Sequence, residues 1–248
     1  MNMPITDLVY AGSSEDPWAG HEQYLGPTGT IDIPIAAFLV RSGDRLVLID
    51  AALGPIDRPG MVGGALLDEL AAAGVQPGDI TDVVFSHLHF DHTGWATQQG
   101  RIVFPNATYR CHEADWSHFI TGPEPDAGAT RKLTPIAERM ETFVGDAVLA
   151  PGISVRHAPG HTPGSTVIVL SSGADRAVLI GDAAHCPVQL MEDEWSALYD
   201  VDPALATSTR VALMRELEGT STLIGAPHFP ELQFGRVLPG VGKRSWVV

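Results

Sequence analysis

Cysteine and positive charge are both scarce in this chain of 248 residues. Cys111 and Cys186 are its only cysteines; they lie far apart and in no Cys-x-x-Cys pair. That excludes a disulfide framework, and two reduced thiols are the expectation, with Cys186 close enough to Asp182 in sequence to approach a site rim. Fifteen basic residues against thirty acidic ones leave a formal charge of −15. A surface so acidic repels phosphate backbones and anionic headgroups, which argues against nucleic acid and against membranes as partners. No stretch approaches the ~20 apolar residues of a membrane-spanning helix, and residues 1–7 lack the basic and apolar regions of a leader. A soluble, cytoplasmic protein acting on a small-molecule substrate is expected, with a homodimer as an open assembly. Core material is not scarce: hydrophobic residues make up 44% of the chain, enough for one large domain rather than a disordered segment.

Apolar runs separated by turn signals recur along the chain. Residues 33–40 and 45–50 read as strands joined by Ser42-Gly43-Asp44. Residues 81–86, 107–111, 153–157, 166–170 and 177–180 read as further strands, with Ser172-Gly173 turning between the last two. Helices are expected at 65–73, stopped by Gly74, and at 113–119. Another is expected at 134–140, with Thr134 as N-cap and Pro135 in the first turn. The clearest helix opens at Asp202-Pro203 and ends near Glu218, before Gly219. Within it Leu205, Thr209, Ala212, Leu213 and Leu217 recur at helical spacing, which predicts an inward face. Residues 121–129, rich in Gly, Pro and Asp, read as a mobile loop. Strands and helices come in two rounds, about 33–140 and 143–238, with no linker, so a single domain over 1–248 built of two βα halves is expected.

Chemistry concentrates in Ser86-His87-Leu88-His89-Phe90-Asp91-His92-Thr93-Gly94, directly after the apolar run Val83-Val84-Phe85. Three histidines and an aspartate fall within six positions, and imidazole with carboxylate suits zinc and its neighbours in the first transition row. Alternation sends His87 and His89 to one side and Asp91 and His92 toward a second point, an arrangement that can feed two metals. Further polar residues stand at or just past the ends of apolar runs: His161 in Pro159-Gly160-His161-Thr162-Pro163-Gly164, Asp182 after Val178-Leu179-Ile180-Gly181, and His228 after Leu223-Ile224-Gly225-Ala226-Pro227. Asp50 ends its strand and either holds a histidine ring by a hydrogen bond or forms a turn.

HxHxDH, PGHTPG, GD and a late histidine together resemble the metallo-β-lactamase fold superfamily over nearly the whole chain. The resemblance implies an α/β fold, an αββα sandwich with a dinuclear metal site at the sheet edge. It implies His87, His89 and His161 on one ion, Asp91, His92 and His228 on the other, and Asp182 bridging two Zn2+ or other first-row divalent ions. A bridging Asp182 separates the chain from true β-lactamases, His89 from the flavodiiron branch, and length from the nucleases. What remains is similar to N-acyl homoserine lactonases and methyl-parathion-hydrolase-like enzymes. The chain departs from the lactonases at His185, three residues past Asp182, where they tend to carry tyrosine; this leans toward the broader hydrolase branch.

The expected activity is hydrolysis of a neutral ester, lactone or phosphotriester by a metal-bridging hydroxide, with Asp91 and His185 as candidate catalytic residues. His185 could protonate the leaving oxygen, or be a core histidine. No lysine or arginine stands out as a grip for an anionic substrate. Phe90, Trp95, Trp195 and Phe229 are either pocket walls or core. His21 could line a pocket mouth, and His112, His118 and His157 read as structural or surface. A mononuclear iron oxidoreductase of the sulfur dioxygenase kind and a metal-binding protein without turnover are the alternatives.

Overall fold

The computed structural model describes residues 1–26 and 28–248, in two compact units: residues 35–157, and residues 1–34 with 158–248. The first unit carries a five-stranded sheet in the order Met140–Phe143, Thr108–His112, Asp82–Val84, Arg45–Ile49, Phe38–Ser42. Its first four strands are parallel and Phe38–Ser42 is antiparallel at the edge. The central Asp82–Val84 strand is buried throughout, as expected of a strand covered on both faces. Ile80, Val83, Phe85, Phe104, Tyr109 and Leu133 lie at the heart of the core beside it.

In the second unit, Thr166–Ser172 runs antiparallel to Asp175–Leu179, which runs parallel to Leu223–Gly225. One core gathers Val178, Ile180, Leu213, Met214 and Ile224. A second, built on the N-terminal segment, gathers Trp18, Ile31, Cys186 and Trp195. Cys186 is therefore core rather than rim, and burial pushes its thiol up to about 12. Trp195 is 1% exposed and packs at a tilt against Tyr10 and Trp18, while Phe229 and Trp95 are also buried, so three of the four candidate pocket aromatics are core. Only Phe90, 58% exposed, faces outward.

Three helical expectations change. Residues 121–129 are not all loop: Asp126 accepts the Ala129 N–H and opens the Ala127–Leu133 helix, a cap hidden among the Gly and Pro signals. Thr134 caps nothing; its hydroxyl donates back to the Thr130 carbonyl, and the Thr134–Arg139 segment is a 3-10 helix. The Pro203–Leu217 helix forms as expected on its Asp202 cap, but its buried residues are Ala206, Arg210, Leu213, Met214 and Leu217, with Leu205 and Ala212 exposed. An apolar pattern misplaces that face because Arg210 is buried, its guanidinium donating to the carbonyls of Trp195 and Ala183.

Candidate metal centre

In a parallel sheet the carboxyl ends of the strands are where loops can present functional groups. Three neighbouring strands of the first unit use that edge. Ile49 pairs with Val84 and the Asp50 N–H donates to the Val84 carbonyl, so Asp50 arrives beside the start of the histidine loop. Asp50 sits in the left-handed region, at φ 59°, which aspartate tolerates better than most residues. Its carboxylate accepts from the Ser86 N–H at 2.7 Å, the Ser86 hydroxyl at 2.8 Å and the His92 Nδ1 at 2.9 Å. The third strand, Thr108–His112, leads into the short Glu113–Trp116 helix, whose buried Asp115 accepts the Leu88 N–H at 3.0 Å. The loop is thus anchored on both sides.

Within that frame the four motif residues of the loop lie together. His87 Nε2 is 3.0 Å from His89 Nδ1, the His87 and His92 rings are 4.0 Å apart, and His92 Nε2 is 3.8 Å from Asp91 Oδ2. His87 Nδ1 rests on the Ser86 hydroxyl oxygen at 3.1 Å.

The second unit assembles its own cluster by the same topology. Leu179 and Gly225 are register partners on parallel strands, and Asp182 and His228 each follow three residues later. Asp182 Oδ1 lies 3.2 Å from His228 Nε2; its Oδ2 lies 3.4 Å from His161 Nε2 and 3.2 Å from His185 Nε2. His161 comes from the loop before the antiparallel Thr166–Ser172 strand, which begins at that same edge. Gly160 in this loop has φ 131° and packs so closely that a Cβ would strike the backbone of Ala206. His161 Nδ1 donates to Asp200 Oδ1 at 2.9 Å, and His228 Nδ1 donates to the Pro34 carbonyl at 2.8 Å. His185 stacks on His228 at 5.6 Å and 2°, and burial first of all holds its pKa below the ordinary histidine value.

This donor set fits a divalent transition metal. His87, His92, His161 and His228 each have Nδ1 on an oxygen, which fixes the tautomer and leaves the Nε2 lone pair toward the other donors of the ring's own cluster. Metal-ligating imidazoles are oriented in that way. The carboxylates Asp91 and Asp182 complete a nitrogen and oxygen set suited to zinc-class ions.

Sequence reasoning gave no role to Ser86, Asp115 and Asp200, whose hydrogen bonds hold the histidine loop and the His161 ring. Asp200 stands two residues before a helix cap, and nothing local marks it as a partner of His161. His21 is buried and paired with Glu192 at 3.0 Å, a structural role. His112 and His157 stack on each other at 4.0 Å, and neither belongs to a candidate metal group among the described residues.

A model of the metallo-beta-lactamase superfamily matches residues 31–224. An N-acyl homoserine lactonase of a Bacillus species is 22% identical over 205 residues, 75% of this chain and 78% of its own. The N-acyl homoserine lactonase AttM of Agrobacterium fabrum is 34% identical over 134 residues, 48% of this chain and 47% of its own. Among solved structures, the hydrolase AbOPH of the beta lactamase superfamily superposes with a TM-score of 0.86 at 26% identity, over 100% of this chain and 90% of its own. AidC, described as a dizinc quorum-quenching lactonase, superposes with a TM-score of 0.79 at 27% identity, over 88% of this chain and 80% of its own.

Proposed function

We propose that the substrate of this chain, which belongs to the metallo-β-lactamase superfamily and is a metal-dependent hydrolase, is a lactone, a neutral ester or a phosphotriester. Its fold is the α/β sandwich of that superfamily. Because one family model runs through residues 31–224, we read both units as one domain.

In this reading the seven motif residues hold two zinc-class ions: His87, His89 and His161 for one, Asp91, His92 and His228 for the other, and Asp182 for both. Bound divalent ions supply polarisation of the scissile oxygen and a water whose pKa is brought toward ~7. The observation that carries the reading is the set of four histidines whose Nδ1 atoms are tied to oxygens, leaving Nε2 as the donor. Asp50 and Asp115 hold the loop that bears half of the set, and Asp200 and the Pro34 carbonyl hold rings in the other half. Asp91, with its carboxylate 3.8 Å from His92 Nε2, is in this reading both a metal ligand and a catalytic carboxylate. His185 is the proposed proton-handling residue: its Nε2 faces Asp182, and its buried Nδ1 makes no hydrogen bond among the described residues.

Lactonase relatives favour the lactone, and His185 in place of tyrosine keeps the other two esters in the set. Metal analysis of the purified protein, followed by turnover on homoserine lactones, aryl esters and paraoxon-like triesters, tests the proposal. It expects ~2 zinc-class ions per chain and hydrolysis of at least one class. Bound iron with oxygen uptake and no hydrolysis overturns it.

A further inference from the structure

Beside the histidine loop, wholly within the first unit, lies a cavity of about 280 Å³. It opens on His89 and is walled by Leu88, Phe90 and Phe119, the last packed edge-on against the His89 ring at 5.5 Å. The Ala127–Leu133 helix also lines it, with Gly128 and Ala129 near its start and Arg131 and Lys132 in its last turn. At this size it takes one small arm of a substrate rather than a whole drug-sized molecule.

The charges on that side are unequal in availability. Lys132 spends its ammonium on the carbonyls of Gly94 at 2.8 Å and Thr97 at 2.9 Å. Asp126 spends a carboxylate oxygen on the Ala129 N–H. Arg131 is exposed and makes no hydrogen bond or salt bridge among the described residues. One acid and two bases leave this mouth net positive on a chain whose formal charge is −15. A guanidinium that lines an apolar cavity and has no hydrogen bond or salt bridge among the described residues can take a planar oxyanion. No lysine or arginine stood out in the sequence as such a grip; the cavity lining makes Arg131 a candidate.

We propose that this cavity binds an apolar substrate arm ending in a carboxylate, with Arg131 as its specificity-determining partner. The proposal rests on the hydrolase reading above, since His89 is what brings the cavity to the reacting centre. It narrows the substrate class to esters or lactones whose acyl arm carries a terminal acid.

The test pairs acid and neutral forms of one arm. The metal-loaded enzyme is assayed on the mono-p-nitrophenyl ester of adipic acid and on its methyl-capped counterpart. Wild type should prefer the acid by about tenfold in kcat/KM, the low end for a hydrogen bond to a charged group. Arg131→Met should bring that ratio close to one, and Arg131→Glu should invert it. In parallel, calorimetry measures binding of the hydrolysis-resistant anilide of adipic acid and of hexanoic anilide, which needs no turnover. Arg131-dependent preference for the acidic anilide with no ester hydrolysed supports the cavity and overturns the hydrolase reading. Hydrolysis with no acid preference in wild type, or a preference that survives in Arg131→Met, overturns the cavity proposal and leaves the hydrolase reading standing.

Discussion

Asp182 has three imidazole nitrogens within 3.4 Å, from His161, His185 and His228. Removing its carboxylate takes away the proposed bridge, so Asp182→Ala should lose metal and nearly all turnover while keeping its circular dichroism spectrum. Unchanged metal content with full activity contradicts the assignment. His185 is a subtler case. If its ring handles the leaving-group proton, His185→Ala should lower kcat by ~100-fold with metal content intact. The loss should be greater for alkyl lactones than for nitrophenyl esters, which leave without help. If the ring only steadies Asp182, every substrate should suffer alike and metal affinity should fall. The motif residues were legible in the sequence because histidine is uncommon and the others stand beside it in a tight cluster or at the ends of apolar runs. Asp115 and Asp200 were not: a single carboxylate in a chain with thirty acidic residues carries no mark of the ring or N–H it will meet.

The Pro203–Leu217 helix joins local sequence to the site. Its cap, Asp202, accepts the Leu205 N–H at 3.0 Å and also stops the chain just after Asp200, which holds His161. Asp202→Ala should cost about 1 kcal/mol, read as a shift in denaturant midpoint at unchanged slope. No shift would mean that packing alone fixes this end. The start, cap and end of this helix were readable from Asp-Pro and Gly, whereas its buried face was not. Periodicity assigns arginine to solvent, and here Arg210 is 1% exposed because two carbonyls from other segments meet it. The Ala127–Leu133 helix shows the reverse error: seven residues are too few for a periodic signal, and the turn-forming residues before it dominate.

For the whole molecule, acid stability should fall in two stages. His112 is pushed from 6.5 to about 4, by burial first and by neighbouring His157 second. Its Nδ1 faces the Ala114 N–H and its Nε2 the Gly145 N–H, so protonation removes an acceptor. Its pKa is lower folded than unfolded, so the stability it contributes is complete above about pH 6.5 and is lost as pH falls toward 4. Asp82 follows: burial raises its pKa, but bonds from Arg45, Thr81 and Arg110 outweigh that and hold it below 3.8, so its contribution is lost on further acidification. Urea unfolding of chelated protein against pH checks this; His112→Gln should flatten the upper stage and leave the lower, and an unaltered upper stage refutes the assignment. No helix among the described residues is long and apolar enough to cross a membrane. By itself the sequence determined the fold class and the rough places of most strands, though not their ends, since residues 33–40 were expected where the strand is Phe38–Ser42, and it offered the motif donors as candidates, because apolar runs, turn residues and clustered histidines are local signals. Only the tertiary structure decided which oxygens lock the rings, which aromatics are core and that Arg131, without a hydrogen bond or salt bridge among the described residues, lines the same cavity as His89. Those depend on partners tens of residues away, and no local pattern carries that information.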